Sequence, residues 1–410
     1  MNELNSSEYT AKIKSRNILV LCIAKLIHGF GVSMFSVVYQ PFLLDLTNSL
    51  LITGVLVTIG SIMQFLPMPL VGKLSDRLGH KNTIIASIPL YLIGLVLLIL
   101  SDSNKILYLF FGIIVYFLGF TLNNMNAQFL VAKNSESSKG LMYGLIFTSF
   151  FIGSIGGNIF VIFGASISTR VFFLFFMGIL IVEGLIFTFF LSNKWQIQKT
   201  DEEINKQLHF KKEHTWVKFI RNPRMRGIIF FFTFDIFIYG ISFSIYNAGL
   251  SDYYNLETQE ISFIIIWMNI TNMLFQIPAG RITDKLGKKK SLIISAMTGI
   301  TFFIINIVAS ILWSSGMTFI LIPSLVVAHI CFAFSIVTFI PSEQIILTDL
   351  DKVKKAEAYG VVAFIRGVAF IPTGIIGALL IEYIHYLAPF VITSIGIIVE
   401  IWFLFKFFRE

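Results

Sequence analysis

Residues 72–81 read GKLSDRLGHK, and residues 280–289 read GRITDKLGKK. The second segment is a conservative copy of the first, 208 positions further along the chain. Internal repeats indicate duplicated structural units. Two shorter matches follow in the same order at nearly the same offset, so we predict two homologous halves in parallel orientation. These matches pair Tyr143-Gly144 with Tyr359-Gly360, and Ile181-Val182-Glu183 with Ile398-Val399-Glu400.

The regions between these motifs are strongly apolar. The chain has 410 residues, of which 56% are hydrophobic and 13% are charged, whereas soluble domains carry about 25% charged residues. A bilayer solvates apolar side chains around the whole circumference of a helix. The composition therefore excludes one water-soluble core and predicts an all-α integral membrane protein. Cys22 and Cys331 lie in apolar runs, which favours neither a disulfide framework nor a thiolate metal site.

Twelve apolar runs are long enough to cross a bilayer as helices, which takes about 20 residues each. They predict two pseudo-symmetric six-helix bundles, 1–192 and 226–410, joined by a partly helical cytoplasmic linker at 193–225. The first run is interpreted as a retained span, because it is too long for a signal peptide and no small-residue cleavage site follows it. The predicted spans are 18–40, 51–71, 83–101, 105–129, 140–165, 170–192, 226–249, 259–279, 291–311, 317–345, 357–380 and 385–406.

The positions of Lys and Arg predict the orientation. With both termini in the cytoplasm, 27 of the 31 basic residues fall in inner segments, and only Lys105 and Arg170 fall in outer ones. An inner excess of Lys and Arg sets membrane topology. We therefore predict a multi-pass cell-membrane protein with both termini cytoplasmic. The same distribution accounts for the net charge of +8, so we expect contact with anionic lipid and no nucleic-acid partner.

The repeated segment resembles a loop of the major facilitator superfamily, which lies between the second and third spans and reads G-x-L-S/A-D-R-x-G-R/K-R/K. The second copy has Lys285 in place of the arginine. The resemblance covers essentially the whole chain and implies alternating access, in which two bundles rock around a central site. The matching residues are Gly72, Leu74, Ser75, Asp76, Arg77, Gly79 and Lys81 in the first copy, and Gly280, Asp284, Gly287, Lys288 and Lys289 in the second.

The resemblance also implies a latch between the halves. Asp76 would sit against the start of the eleventh span, and Asp284 against the start of the fifth. A carboxylate gains about 0.3–1 kcal/mol near a helix N-terminus, and glycines allow sharp turns and close helix approach. Such a latch would join the halves on the inner side and favour the outward-open state, whereas the alternative is a basic loop that only sets topology. The predicted latch residues are Gly72, Asp76, Arg77, Gly79, Gly280, Asp284 and Gly287.

Ionisable residues inside the spans are costly and indicate function by default. Lys25, Asp235 and Arg366 each lie about eight or nine residues past the cytoplasmic start of their span, which is about 12–14 Å into the membrane. We predict that Asp235 pairs with Arg366 and that Lys25 lies nearby. Two interpretations stay open. In the first, Asp235 exchanges partners or a proton while the bases hold an anionic group of the solute, and in the second the pair is a permanent lock.

Three further ionisable residues lie inside predicted spans. His28 is one helical turn from Lys25 and titrates near neutral pH in its unperturbed state. It is a candidate proton relay, with plain hydrogen bonding as the alternative. Glu183 and Glu400 occupy repeat-equivalent positions in the sixth and twelfth spans, which are peripheral in the family. For both we predict a packing or interface role, with a role in transport as the alternative.

Polar amides also recur inside the spans. Asn269 and Asn272 share one face of the eighth span, and Asn123 and Asn126 lie in the inner half of the fourth. Amides at bilayer depth either join helices or line water. We predict that these four line a cavity, with helix–helix hydrogen bonding as the alternative.

Together these features predict a proton-coupled secondary active transporter for a small solute, and not an enzyme. One alternative is a multidrug efflux antiporter, although Val115 and Asn158 stand where many such relatives have Arg and Pro. The accompanying glycines Gly144, Gly153 and Gly157 still predict close packing of the fifth span. The other alternative is a transporter-like sensor or a lipid scramblase. We find no phosphate-binding loop, metal-ligand cluster or nucleophile motif in the sequence, so we expect no cofactor and no metal, and we expect a monomer.

Overall fold

The computed structural model describes residues 2–134, 139–164, 166–192, 221–349 and 355–407. Within these ranges the chain forms fifteen α-helices, a 3-10 helix at Thr318–Ile320 and no strand. The first half contains α1 (Asn2–Thr47), α2 (Leu50–Phe65), α3 (Met68–Leu78), α4 (His80–Leu100), α5 (Ile106–Asn134), α6 (Lys139–Phe163) and α7 (Thr169–Phe190). The second contains α8 (Pro223–Phe243), α9 (Tyr246–Tyr254), α10 (Thr258–Leu286), α11 (Lys288–Ser314), α12 (Leu321–Asp349), α13 (Lys355–Phe370), α14 (Thr373–Tyr383) and α15 (Ala388–Phe407).

Twelve stretches are long and apolar enough to span a membrane, which confirms the predicted number. An even number of spans places both chain ends on one side, called here the terminus side, and the opposite side is called the far side. The predicted ends were less accurate: α1 continues through Pro41 to Thr47, and α8 begins at Pro223, inside the predicted linker. The rest of that linker, 193–220, lies outside the described residues, so the predicted division into two bundles stays a prediction.

Three spans consist of two helices each, which the sequence did not predict. The second span is α2 and α3, the seventh is α8 and α9, and the eleventh is α13 and α14. Pro67 and Pro372 lie at two of these breaks, where the missing proline N–H interrupts the backbone ladder. The break in the seventh span falls at Ser244 and Ile245 and contains no proline.

The repeated glycines form the same turn in both halves. Gly79 has φ 84° and ψ 144°, and Gly287 has φ 86° and ψ 159°, a backbone region that is nearly restricted to glycine. The N–H of Gly79 donates to the carbonyl of Ser75 at 2.8 Å, and the N–H of Gly287 donates to Thr283 at 3.0 Å. Each glycine thus ends one helix and begins the next, which explains why the repeat retains it.

The helices pack into a bundle whose halves meet along two seams. One seam joins α6 to α10, and the other joins α2 to α14. Within the first half, the Cα atoms of Gly153 and Gly157 face the backbone of Leu26 and Phe30 on α1 so closely that a side chain would collide with it. The predicted close packing of the fifth span against a neighbouring helix is therefore confirmed.

Candidate functional site

A cluster of buried charges lies in the second half, around Arg366 of α13. The Nη2 atom of Arg366 is 4.0 Å from Oδ2 of Asp235 on α8, so the predicted contact between these two residues is present. The Nη1 atom contacts Oε1 of Glu343 on α12, a residue that we did not predict. Asp235 and Glu343 are each 7% exposed. The guanidinium therefore bridges carboxylates from two different helices.

Two further groups complete this cluster. The ring centroid of Phe232 lies 5.5 Å from Cζ of Arg366, within the range of a cation–π interaction. Glu400 on α15 is 2% exposed, lies within electrostatic range of Asp235, and has no hydrogen-bond partner for Oε2 among the described residues. Two buried carboxyl groups thus lie beside the guanidinium, and a third, that of Glu400, lies near one of them.

The first half contains a second buried cluster. The Nδ1 atom of His28 on α1 lies 2.8 Å from Oε2 of Glu183 on α7. The Nδ2 atom of Asn123 on α5 donates to Oε1 of the same carboxylate at 3.4 Å. Lys25 is 8% exposed and lies within electrostatic range of Glu183. The structure therefore brings Lys25 to Glu183 and His28, rather than to Asp235 and Arg366.

The two clusters are related by the sequence repeat, but the repeated glutamates have neighbours of opposite charge type. Glu183 and Glu400 occupy equivalent positions, and Lys25 and Asp235 nearly so. In the first half the glutamate meets bases on α1, whereas in the second half it meets another acid on α8. Glu183 is fully buried and Glu400 is 2% exposed. Both carboxyls are therefore buried within the chain, and their role stays a prediction.

The predicted cavity amides divide into two groups. Asn126 is fully buried, and its Oδ1 lies 2.8 Å from Nδ1 of His80. Together with the Asn123–Glu183 bond, this contact fits the alternative of helix–helix hydrogen bonding. In the second half, Asn269 is 5% exposed and Asn272 is fully buried. Neither Oδ1 nor Nδ2 of Asn272 has a hydrogen-bond partner among the described residues, although most buried polar atoms have one.

The sequence model of the Major Facilitator Superfamily matches residues 21–246 and 228–410. The chain belongs to this superfamily. It is therefore a membrane transport protein and not an enzyme. The two successive matches together span nearly all of the chain and agree with its twelve spans.

Curated members of the superfamily are similar to this chain at low identity. Multidrug resistance protein 2 of Bacillus subtilis (strain 168) is 23% identical over 306 residues, which is 72% of this chain and 74% of the relative. The class B tetracycline resistance protein of Escherichia coli is 24% identical over 245 residues, or 59% of each chain. The alignment with the tetracycline protein thus spans less than two thirds of its length.

Solved structures of superfamily members share the fold. The xylose transporter XylE from E. coli, in a partially occluded inward-open conformation, superposes with a TM-score of 0.74 at 15% identity, over 97% of this chain and 98% of that one. The nucleoside transporter NupG gives a TM-score of 0.69 at 15% identity, over 96% of this chain and 99% of that one. At these identities the likeness supports the fold alone.

For the predicted latch, the structure gives the backbone of the two motifs and the helices that lie next to them. The side chains of Asp76 and Asp284 lie outside the described residues, and Arg77 is exposed. α3, which carries the first motif, packs against α13 of the eleventh span. A Cβ on Gly144, near the start of α6, would lie 3.5 Å from Ile277 of α10. The helices that the latch requires are thus neighbours, and the role of the aspartates stays a prediction.

Glu343 is the charged residue that the sequence interpretation missed. It lies two residues before the predicted end of its span at 345. A carboxylate at that position is expected to face the membrane interface and does not indicate a buried site. Its burial follows from α12 extending to Asp349 and from the contact with Arg366. The segment Pro341-Ser342-Glu343 offered one signal, since a proline near a buried acid frees backbone groups that a site can use.

Proposed function

We propose that this protein is a proton-coupled secondary transporter that moves a small polar solute across the cell membrane by alternating access of its two halves. The observation that carries the proposal is the pair of buried acids Asp235 and Glu343 beside Arg366, with Glu400 within electrostatic range of Asp235. Intramembrane acids that face the bundle interior are typical of proton pathways. The other features of the chain support this function but do not require protons.

The charge balance of the cluster favours proton coupling. Arginine keeps its proton in proteins, so Arg366 neutralises one carboxylate. A second and a third buried carboxylate without a cation are strongly unfavourable. We therefore infer that at least one carboxyl group of the cluster is protonated. Since Arg366 contacts both Asp235 and Glu343, it can stay with one acid while the other takes up the proton, and this exchange is the proposed coupling step.

The first-half cluster has a different proposed role. Glu183 already has Lys25 and His28 as basic neighbours and Asn123 as a hydrogen-bond donor. A buried hydrogen-bond network rigidifies the helices that share it. We assign these residues to holding α1, α5 and α7 together, with Lys25 as a secondary candidate for contact with an anionic solute.

We assign the solute contact to the amides of α10. Asn272 has two unpartnered polar atoms, and Asn269 lies one turn away on the same face. A buried unsatisfied amide costs about 1–3 kcal/mol, which a solute hydroxyl or amide group would recover. A small polar solute fits these groups better than a large apolar one.

The drug-resistance relatives favour one alternative, an efflux antiporter for amphipathic compounds. Their names refer to multidrug and tetracycline resistance, whereas a superfamily member of matching fold is a D-xylose–proton symporter. Both alternatives use alternating access and a proton, but they differ in direction and in the chemistry of the solute. The solute screen below distinguishes them.

The remaining assignments rest on sequence patterns. We propose cytoplasmic termini from the distribution of Lys and Arg, a monomer, and two bundles joined at 193–225. We also propose that Asp76 and Asp284, with the turns at Gly79 and Gly287, latch the halves on the cytoplasmic side. Protease accessibility of a C-terminal tag in sealed cells tests the orientation, since a cytoplasmic tag stays protected.

The test begins with a thermal-shift screen of purified protein against metabolites and drugs. A stabilising compound is then followed in proteoliposomes with and without a pH gradient. Wild-type protein should accumulate it when the gradient is imposed, while Asp235→Asn should lose accumulation and keep exchange. Asp102→Asn, an acid between the third and fourth spans, is the matched control and should transport normally.

Two results would overturn the assignment. Gradient-driven accumulation at the wild-type level by both Asp235→Asn and Glu343→Gln would remove the cluster from the coupling step. An inactive Asp235→Asn that regains activity when Arg366→Gln is added would make the pair a permanent lock.

A further inference from the structure

The seventh span is interrupted by a side chain from the other half of the protein. In a continuous α-helix the N–H of residue 248 would donate to the carbonyl of residue 244. Backbone bonds flank the break on both sides: Ser244 N–H donates to Gly240 at 3.0 Å, and Gly249 N–H donates to Ile245 at 2.9 Å. The N–H of Ala248 instead donates to Oε1 of Gln40 at 3.1 Å.

The same side chain also satisfies the acceptor of that missing bond. The Nε2 atom of Gln40 donates to the carbonyl oxygen of Ser244 at 3.0 Å. One carboxamide on α1 is therefore inserted between a backbone donor and acceptor that would otherwise pair with each other. Insertion of a side chain into the backbone ladder is a known cause of sharp helix kinks. Neither Ser244 nor Ile245 is a proline or glycine, and the inserted Gln40 side chain lies at the break between α8 and α9.

The break in the eleventh span is satisfied in a similar way. Ile375 lies in the first turn of α14, just after Pro372, where backbone N–H groups lack intrahelical acceptors. Its N–H donates to Oγ1 of Thr58 on α2 at 3.1 Å. Thus both interrupted spans of the second half have backbone groups bonded by side chains of the first half.

These bonds hold the far side of the molecule closed. Six hydrogen bonds join the halves in the far-side part of the membrane. Separating the halves there requires each bond to break. They join Gln40 to Ser244 and Ala248, Asn247 to Ser36, Leu51 to Glu382, Thr58 to Ile375, and Ser262 to Asn158.

We propose that Gln40 is the gate residue of the far side: its withdrawal lets Ser244 and Ala248 pair with each other and straightens the seventh span. The seventh span then has two discrete arrangements, broken when the far side is closed and continuous when it is open. Such a two-state element is what a gating transition requires. Ser244 and Ala248 each keep a hydrogen bond in the exchange, because they bond to each other. The released Gln40 amide bonds to water in the opened vestibule. This inference rests on alternating access but not on proton coupling.

The test measures access to the far-side seam in purified protein. Leu50 packs against Ile245, Ala248 and Ala378 at that seam, so Leu50→Cys is a suitable reporter in a Cys22→Ser, Cys331→Ser background. We expect Gln40→Leu to accelerate maleimide labelling of this cysteine about tenfold, equivalent to about 1.4 kcal/mol. Gln64→Leu, which replaces a partly buried glutamine of the same apolar environment on α2, should label at the wild-type rate.

A proline provides the reciprocal test. Ala248→Pro removes the N–H that the straight helix needs, and proline is tolerated in the first turn of a helix such as α9. We expect this variant to label no faster than wild type, and to cancel the acceleration caused by Gln40→Leu in the double variant. Gln40→Met, which keeps the side-chain length, replaces Gln40→Leu if the latter is not monodisperse.

Two outcomes would overturn the proposal. The first is wild-type labelling in both Gln40→Leu and Gln40→Met. The second is fast labelling that persists when Ala248→Pro is added. A failure of proton coupling would instead appear in the uptake assay and leave the labelling rates unchanged.

Discussion

The fully buried carboxylate of Glu183 permits a quantitative test of the first-half cluster. Glu183→Leu removes the contact with His28 at 2.8 Å and the bond from Asn123 at 3.4 Å, and leaves Lys25 without an acid. Interhelical hydrogen bonds in membranes average about 0.6 kcal/mol each, so two account for about 1.2 kcal/mol. Breaking one partner of a buried ion pair costs about 3–5 kcal/mol in total. We expect a loss of about 3 kcal/mol in the free energy of unfolding.

Glu183→Gln separates the charge from the hydrogen bonds. The amide can still bond with His28 and Asn123, so only the compensation of Lys25 is lost, and we expect a cost of about 1–2 kcal/mol. Adding Lys25→Met should restore most of that loss, because no buried cation is then left unpaired. The difference between the double and single variants is the coupling energy of the pair.

The assay is reversible unfolding in mixed detergent and dodecyl sulfate, followed by far-ultraviolet circular dichroism. Asp102→Asn, an acid outside the spans, is the control and should change stability by less than about 0.5 kcal/mol. The reasoning is refuted if Glu183→Leu costs no more than this control, or if Lys25→Met deepens the defect of Glu183→Gln. Either result would mean that Glu183 does not act as the counter-charge of the first half.

Three further changes in stability follow from the fold, each measured by the same unfolding assay. Gly153→Leu should destabilise by roughly 1–3 kcal/mol because its side chain would meet the backbone of α1, whereas Gly178→Leu, in open space, should be neutral. Gly79→Ala and Gly287→Ala should each cost roughly 1–3 kcal/mol, and by similar amounts, because both turns have the same positive φ. Ser49→Ala should cost about 1 kcal/mol, since the Ser49 hydroxyl caps α2. Equal stability of each variant and wild type would contradict these assignments.

The features that the sequence predicted correctly are those encoded locally. The number of spans follows from apolar length, and the shared turn follows from a glycine at the same position of both repeats. The Asp235–Arg366 contact was predictable because two opposite charges at similar depth in one membrane protein have few other partners. Each of these inferences needs only a residue, its neighbours and the thickness of the bilayer.

The features that were missed depend on which helix faces meet. Lys25 lies at the predicted depth, but its acid is Glu183 on α7, because the packing of α1 against α7 decides the partner. Glu343 lies near the predicted end of its span, and its contact with Arg366 on another helix is not encoded in the neighbouring residues. The break in the seventh span has no local cause at all, since the residue that produces it, Gln40, lies 204 positions earlier. Such partners are set by helix rotation, which hydropathy does not specify.

The central claim is that the cluster around Arg366 holds a proton, and infrared spectroscopy of reconstituted protein tests it without knowledge of the solute. We predict absorption from a protonated carboxylic acid at neutral pH in the wild type. Glu343→Gln combined with Glu400→Gln leaves one acid, Asp235, beside one guanidinium, so the absorption should disappear. Glu183→Gln, in the balanced cluster, should leave it unchanged. Absence of the absorption from the wild type, or its persistence in the double variant, would contradict the account.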